Sequence, residues 1–169
     1  MAIHTMQVVS RFLFYFITSF AIAISGYFLL SAFLFHNRVF ASWFRMFPYH
    51  DQQPVPYTII PCFVYSCIAT VTVKLFNNLN LIKQIGLTAL IVFLTIIFSS
   101  PLGGMLYYYH DMKAGYFPKN WISKMISSGV SDGLGIGWLI IALSIPYNVL
   151  GIVVCYFITK TGSRIFYKI

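Results

Sequence analysis

The residues of this chain that could do chemistry are few. His50-Asp51 and His110-Asp111 are two imidazole and carboxylate pairs, each preceded by a tyrosine. Two histidines and two aspartates suit zinc or a similar ion. Adjacent side chains diverge on a helix or strand, however, and nothing in the sequence fixes the distance between the pairs. The expected reading is two hydrated polar loops, with no metal and no other cofactor. Cys62 and Cys67 lie five apart and lack the second pair that thiol-oxidising chemistry would need, so Cys62, Cys67 and Cys155 read as small core residues. Haem ligation would want histidines inside apolar helices, and none falls there.

A second group of residues bears on helix association. Gly129, Gly133 and Gly137 recur every four residues in the string GVSDGLGIGW. Glycines at that spacing share one helical face and let another backbone come close, which is how helices associate inside lipid. The face is expected to serve helix packing or partner binding, with the third apolar span as the preferred occupant. Pro101 and Pro146 each remove a backbone donor and release a carbonyl, that of Ile97 and that of Ala142. Ser99, Ser100 and Asn148 stand beside these breaks. Together with Asp132 they could form a polar pocket between two broken helices, as transporters use for substrate. The competing expectation is a pair of kinks repaired by neighbouring hydroxyl and amide groups, with Asp132 as a helix N-terminal acid.

The elements that must position these residues are apolar and long. Of 169 residues, 59% are hydrophobic and 8% charged, against roughly 25% charged in an ordinary soluble domain. Four apolar stretches are expected to span a bilayer, about 12–35, 57–76, 85–109 and 133–159, all free of charge except the second, in which Lys74 can snorkel near the end. The first exceeds the usual h-region of a signal peptide and lacks a small-x-small cleavage site, so it reads as retained. The fold class expected is therefore all-α, a polytopic membrane protein built as a compact bundle of four transmembrane helices in a single membrane domain.

The chain carries 11 Lys and Arg against three Asp and no Glu, a net charge of +8. The basic residues flank the apolar stretches as membrane anchors do, and they form no solvated face for nucleic acid. Arg11, Lys74, Lys83, Lys160, Arg164 and Lys168 fall on one side, and Arg38, Arg45, Lys113, Lys119 and Lys124 on the other. Amphipathic pieces around Trp43 and Trp121 favour an outer location for the second side. Both termini are then expected in the cytoplasm, the membrane being a bacterial inner membrane.

Hydrolase and phosphate-binding motifs such as G-x-S-x-G, H-E-x-x-H and G-x-x-x-x-G-K-[ST] are absent from the sequence. The function expected is non-enzymatic: an accessory or interaction subunit of another membrane protein, in contact with the lipid bilayer and with a protein partner or further copies of itself. The alternative is a small transporter or channel component using the polar residues at the two breaks. In size, span number and basic balance the chain is also similar to immunity proteins against membrane-active toxins, an analogy that no motif carries.

Overall fold

The computed structural model describes residues 2–34, 53–116, 122–143 and 145–167. They form five helices and, among the described residues, no strand: α1 (Ala2–Leu34), α2 (Pro54–Asn77), α3 (Leu81–Lys113), α4 (Ile122–Leu143) and α5 (Ile145–Phe166). Four stretches are long and apolar enough to cross a membrane: Thr5–Leu29, Pro54–Asn77, Leu81–Lys113 and Asn148–Phe166. Trp43, Trp121, His50 and Asp51 lie outside the described residues.

Local chemistry explains where the helices start and stop. Pro54 and Pro56 open α2, where their missing N–H groups belong to the unpaired first turn in any case. The α2–α3 turn is closed by Asn78 N–H to the Leu75 carbonyl at 3.1 Å and Leu79 N–H to Phe76 at 3.2 Å. Asn80 then caps α3, its Oδ1 accepting from Lys83 N–H at 3.1 Å. At the far end of α3, Gly115 takes a left-handed backbone (φ 89°). That geometry lets Gly115 and Tyr116 return hydrogen bonds to Met112 and Asp111 at 3.2 and 3.0 Å.

The stretch 133–159, expected as one span, is divided. α4 ends at Leu143 and α5 begins at Ile145, with Pro146 as the second residue of the new helix. A proline there has no N–H to offer the preceding turn, and the first turn of a new helix is where that loss costs least; Pro61 and Pro101, by contrast, stay inside continuous helices. The start of α4 at Ile122 also overturns the reading of Asp132 as a helix N-terminal acid. It sits almost three turns inside the helix, beyond the reach of the terminal dipole.

The core is assembled from α1, α2, α3 and α5. Tyr15, Tyr65, Ala69, Val73, Ile91 and Ile158 form its buried centre. Outward-facing positions are equally apolar: Val71 is 81% exposed and Phe157 62%. Helices hydrophobic inside and out need a hydrocarbon surround. Between helices the packing uses small and hydroxyl residues, with Ser66, Thr88 and Thr159 fully buried, as membrane interfaces do. Their hydroxyls are internally bonded: Ser66 to the Cys62 carbonyl at 2.6 Å, Thr88 to Gln84 at 2.8 Å, and Thr159 to the Tyr65 hydroxyl at 2.9 Å.

Aromatic rings join neighbouring helices. Tyr15 of α1 meets Tyr65 of α2 with ring centroids 6.3 Å apart, while Phe14 meets Phe166 of α5 at 5.7 Å. Gly162 admits the Tyr15 ring, whose Cε1 would lie 2.6 Å from a Cβ at that position. Because Tyr15 is fully buried, it has nowhere to move. Gly162→Ala is therefore expected to destabilise the bundle by about 1–3 kcal/mol. Gly86→Ala, with nothing within 4 Å of the added carbon, should be neutral or stabilising by up to about 1 kcal/mol. Denaturant titration in mixed micelles distinguishes the two.

Candidate functional site

α4 runs antiparallel along the C-terminal half of α3, and this is the most extensive helix pairing among the described residues. Its glycine face meets α3 at every step. A Cβ on Gly129 would stand 2.7 Å from Met105 Cα, and one on Gly133 would strike the Ser100 carbonyl and stand 2.9 Å from Pro101 Cα. On Gly137 it would meet Ser100 Oγ at 2.6 Å. From the other side, Gly104 of α3 faces the Gly129 carbonyl and Gly133 Cα. The two backbones touch, and only glycine permits it. Gly104 is the member of this seam that the spacing within α4 could not reveal. Gly135, between the seam glycines, faces open space.

Polar residues expected at the helix breaks take separate places. Ser100 is buried in the seam, and Ser99 is half-buried beside it. Both hydroxyls donate to the Ile96 carbonyl, at 2.6 and 3.3 Å, one residue before the carbonyl that Pro101 releases. Asp132 accepts a hydrogen bond from the Tyr108 hydroxyl at 2.5 Å on the exposed edge of the α3–α4 pair. Asn148 lies half-buried in the first turns of α5. His110 is buried in the last turn of α3, its ring 5.8 Å from that of Tyr57. Among the described residues no three His, Cys, Asp or Glu side chains come together as a metal site would require.

A different cavity lies between α1, α2, α3 and α5. It has a volume of about 420 Å³, and its walls include Ser19, Gly26, Cys62, Thr95, Gly151 and Cys155. The size is that of a small-molecule site. Its surface is apolar because the hydroxyls turn back to their own helices: Ser19 to Phe16 at 3.2 Å, Thr58 to Pro54 at 2.7 Å, Thr95 to Ile91 at 2.8 Å. Cys62 shares this cavity with Cys155, while Cys67 is exposed on another face; all three thiols are free. No spacing in the sequence pairs Cys62 with Cys155, since the two come from helices far apart in the chain.

Two polar ties at the opposite end of the bundle also escape sequence reading. Gln84 donates to the Phe76 and Leu79 carbonyls of the α2–α3 turn at 3.2 and 3.0 Å and accepts from Tyr156 at 3.5 Å. Lys160 donates to that same Tyr156 hydroxyl at 3.0 Å. Arg11 of α1 donates to the Tyr167 hydroxyl at 2.6 Å.

No family model, curated protein or solved structure matches the chain.

The Tyr108–Asp132 bond is a charge-assisted tie between α3 and α4. A double-mutant cycle with Tyr108→Phe and Asp132→Asn, read by denaturant titration, should give a coupling of roughly 0.5–1.5 kcal/mol. Additive losses would mean the two side chains act separately.

Proposed function

We propose that this chain is a non-enzymatic, multi-pass membrane protein that works by binding, as an accessory or interaction subunit of another membrane protein. One observation supports this most. The side chains with chemical potential are engaged in bonds within the bundle: Asp132 with Tyr108 and Arg11 with Tyr167 across it, Lys160 with Tyr156 along α5, Ser100 within the seam. What remains available is surface. α4 touches α3 and makes only slight contact with α5 among the described residues, and the α3–α4 pair leaves Phe98, Leu102, Ile126 and Leu134 exposed. A helix of a partner protein would find there a rigid, two-helix apolar face. The accompanying placement is a bacterial inner membrane with both termini cytoplasmic, supported by the basic end that gathers Lys74, Lys83 and Arg164.

Because Gly129, Gly133 and Gly137 already face α3, a substitution there disturbs the chain's own fold and cannot report on a partner directly. The informative positions are the outward ones. Gentle extraction from the native membrane should yield one protein partner in stoichiometric amount, identified by mass spectrometry. Ile126→Ser with Leu134→Ser should lose that partner and leave the chain folded. Recovery of the chain alone, or retention of the partner by the double variant, would count against the reading.

The division of the fourth apolar stretch at Leu143 and Ile145, close in sequence to the cavity residues Leu150 and Gly151, favours a second reading as a small transporter or channel component. Under it Asn148→Leu abolishes solute flux in reconstituted vesicles and leaves assembly intact; unchanged flux would remove it.

A further inference from the structure

Cations gather at one end of the bundle with no carboxylate among the described residues there. Lys74 lies in the last turn of α2, Lys83 in the first turn of α3, Lys160 and Arg164 one turn apart on α5, and Arg11 reaches in from α1. The chain has three Asp and no Glu. Asp111 stands 28 residues beyond Lys83 on the same helix, about 42 Å away at the helical rise, and Asp132 is tied to Tyr108 near it. Asp51 precedes α2, whose other end carries Lys74.

The helix dipole accounts for part of this pattern. Cations are favoured in a last turn, as with Lys74 and Arg164, but disfavoured in a first turn, where Lys83 sits. Nor does it account for Arg11, in the interior of α1. The Arg11 guanidinium donates to Tyr167, lies 4.4 Å from the centre of that ring and 5.9 Å from that of Phe166, and has a buried Nε without a hydrogen-bond partner. The hydroxyl of fully buried Tyr15, one turn along α1, likewise has no partner. A partly buried arginine with an orphaned donor is costly unless an anion is supplied from outside the described chain.

We propose that this end of the bundle binds the phosphate headgroup of an anionic lipid, with Arg11 and Arg164 as its principal contacts and Lys160 beside them. Lys160 and Arg164 lie four apart on α5 and so share a face; Tyr167, just past its end, donates its N–H to the Ser163 carbonyl at 2.9 Å, and Arg11 stands over its ring. Guanidinium groups match phosphate oxygens in a forked geometry that lysine lacks. Tyr156, Phe166 and Tyr167 hold the cations at the depth where headgroups meet acyl chains. The anion comes from the lipid because the charges sit at the ends of membrane-spanning helices. This inference is independent of any protein partner.

The test uses the full chain in detergent micelles carrying phosphatidylglycerol and phosphatidylcholine in equal amount, with retained lipid counted by native mass spectrometry. Phosphatidylglycerol should be retained in preference. Arg164→Gln should weaken retention about fivefold and the pair with Arg11→Gln about 30-fold, while Lys113→Gln at the opposite end changes nothing. Arg164 is exposed, so its single variant keeps the fold even where Arg11→Gln does not. Equal retention of both lipids, or an equal loss with Lys113→Gln, would overturn the proposal. So would displacement of the lipid by inorganic phosphate that is itself retained, since that outcome assigns the end to a free anion.

Discussion

The backbones of α3 and α4 meet where Gly104 faces Gly129 and Gly133, and the position of α4 depends on that meeting. In lipid no hydrophobic force draws two helices together, so close approach and the dispersion contacts it allows must do so. Among the described residues α4 adds none to the buried centre formed by Tyr15, Tyr65, Ala69, Val73, Ile91 and Ile158. The seam fixes the direction of α4, and through it the place from which α5 departs. It also consumes the glycine face, so the apolar side chains that the pair leaves exposed, such as Phe98 and Leu102, lie outside the seam.

The other four-helix contacts follow the same economy of small and hydroxyl residues, with a few long polar side chains as ties. Gln84 illustrates the logic. Its amide caps the turn between α2 and α3, and its oxygen receives Tyr156 from α5. One residue thereby sets the turn and the height of a third helix. Polar groups inside an apolar surround are retained where each finds a bond, and most of those described here do. Arg11 Nε and Tyr15 Oη are the exceptions, and they fall together at the cationic end.

The helical class and the four long apolar helices are legible in the sequence, since length and hydropathy set them directly. The division of the last stretch is less so. Pro146 marks a break, but whether a proline kinks a helix or starts one depends on what packs around it. Helix α4 begins at Ile122 rather than near Gly133 because Ser123, Lys124, Ser127 and Ser128 are compatible with helix and carry no breaker. Hydropathy alone does not see such a start, and it therefore puts Asp132 at a helix end instead of inside α4. Glycines four apart are legible as a face of close approach; their complement Gly104, on another helix, has no local signature. The cavity between Gly26, Cys62, Thr95 and Cys155 is a tertiary feature throughout, assembled from four helices that no spacing relates.

The central claim, that glycine alone allows α4 to lie against α3, is tested most directly by a distance. Spin labels at Leu102 of α3 and Leu134 of α4, both exposed, in a chain whose three cysteines are replaced, report the separation of the two helices by pulsed electron resonance. A single narrow distribution is predicted for the native glycines, shifted to longer distance and broadened by Gly133→Leu and left in place by Gly135→Leu. An unchanged distribution in Gly133→Leu, or an equal shift in Gly135→Leu, would contradict the account.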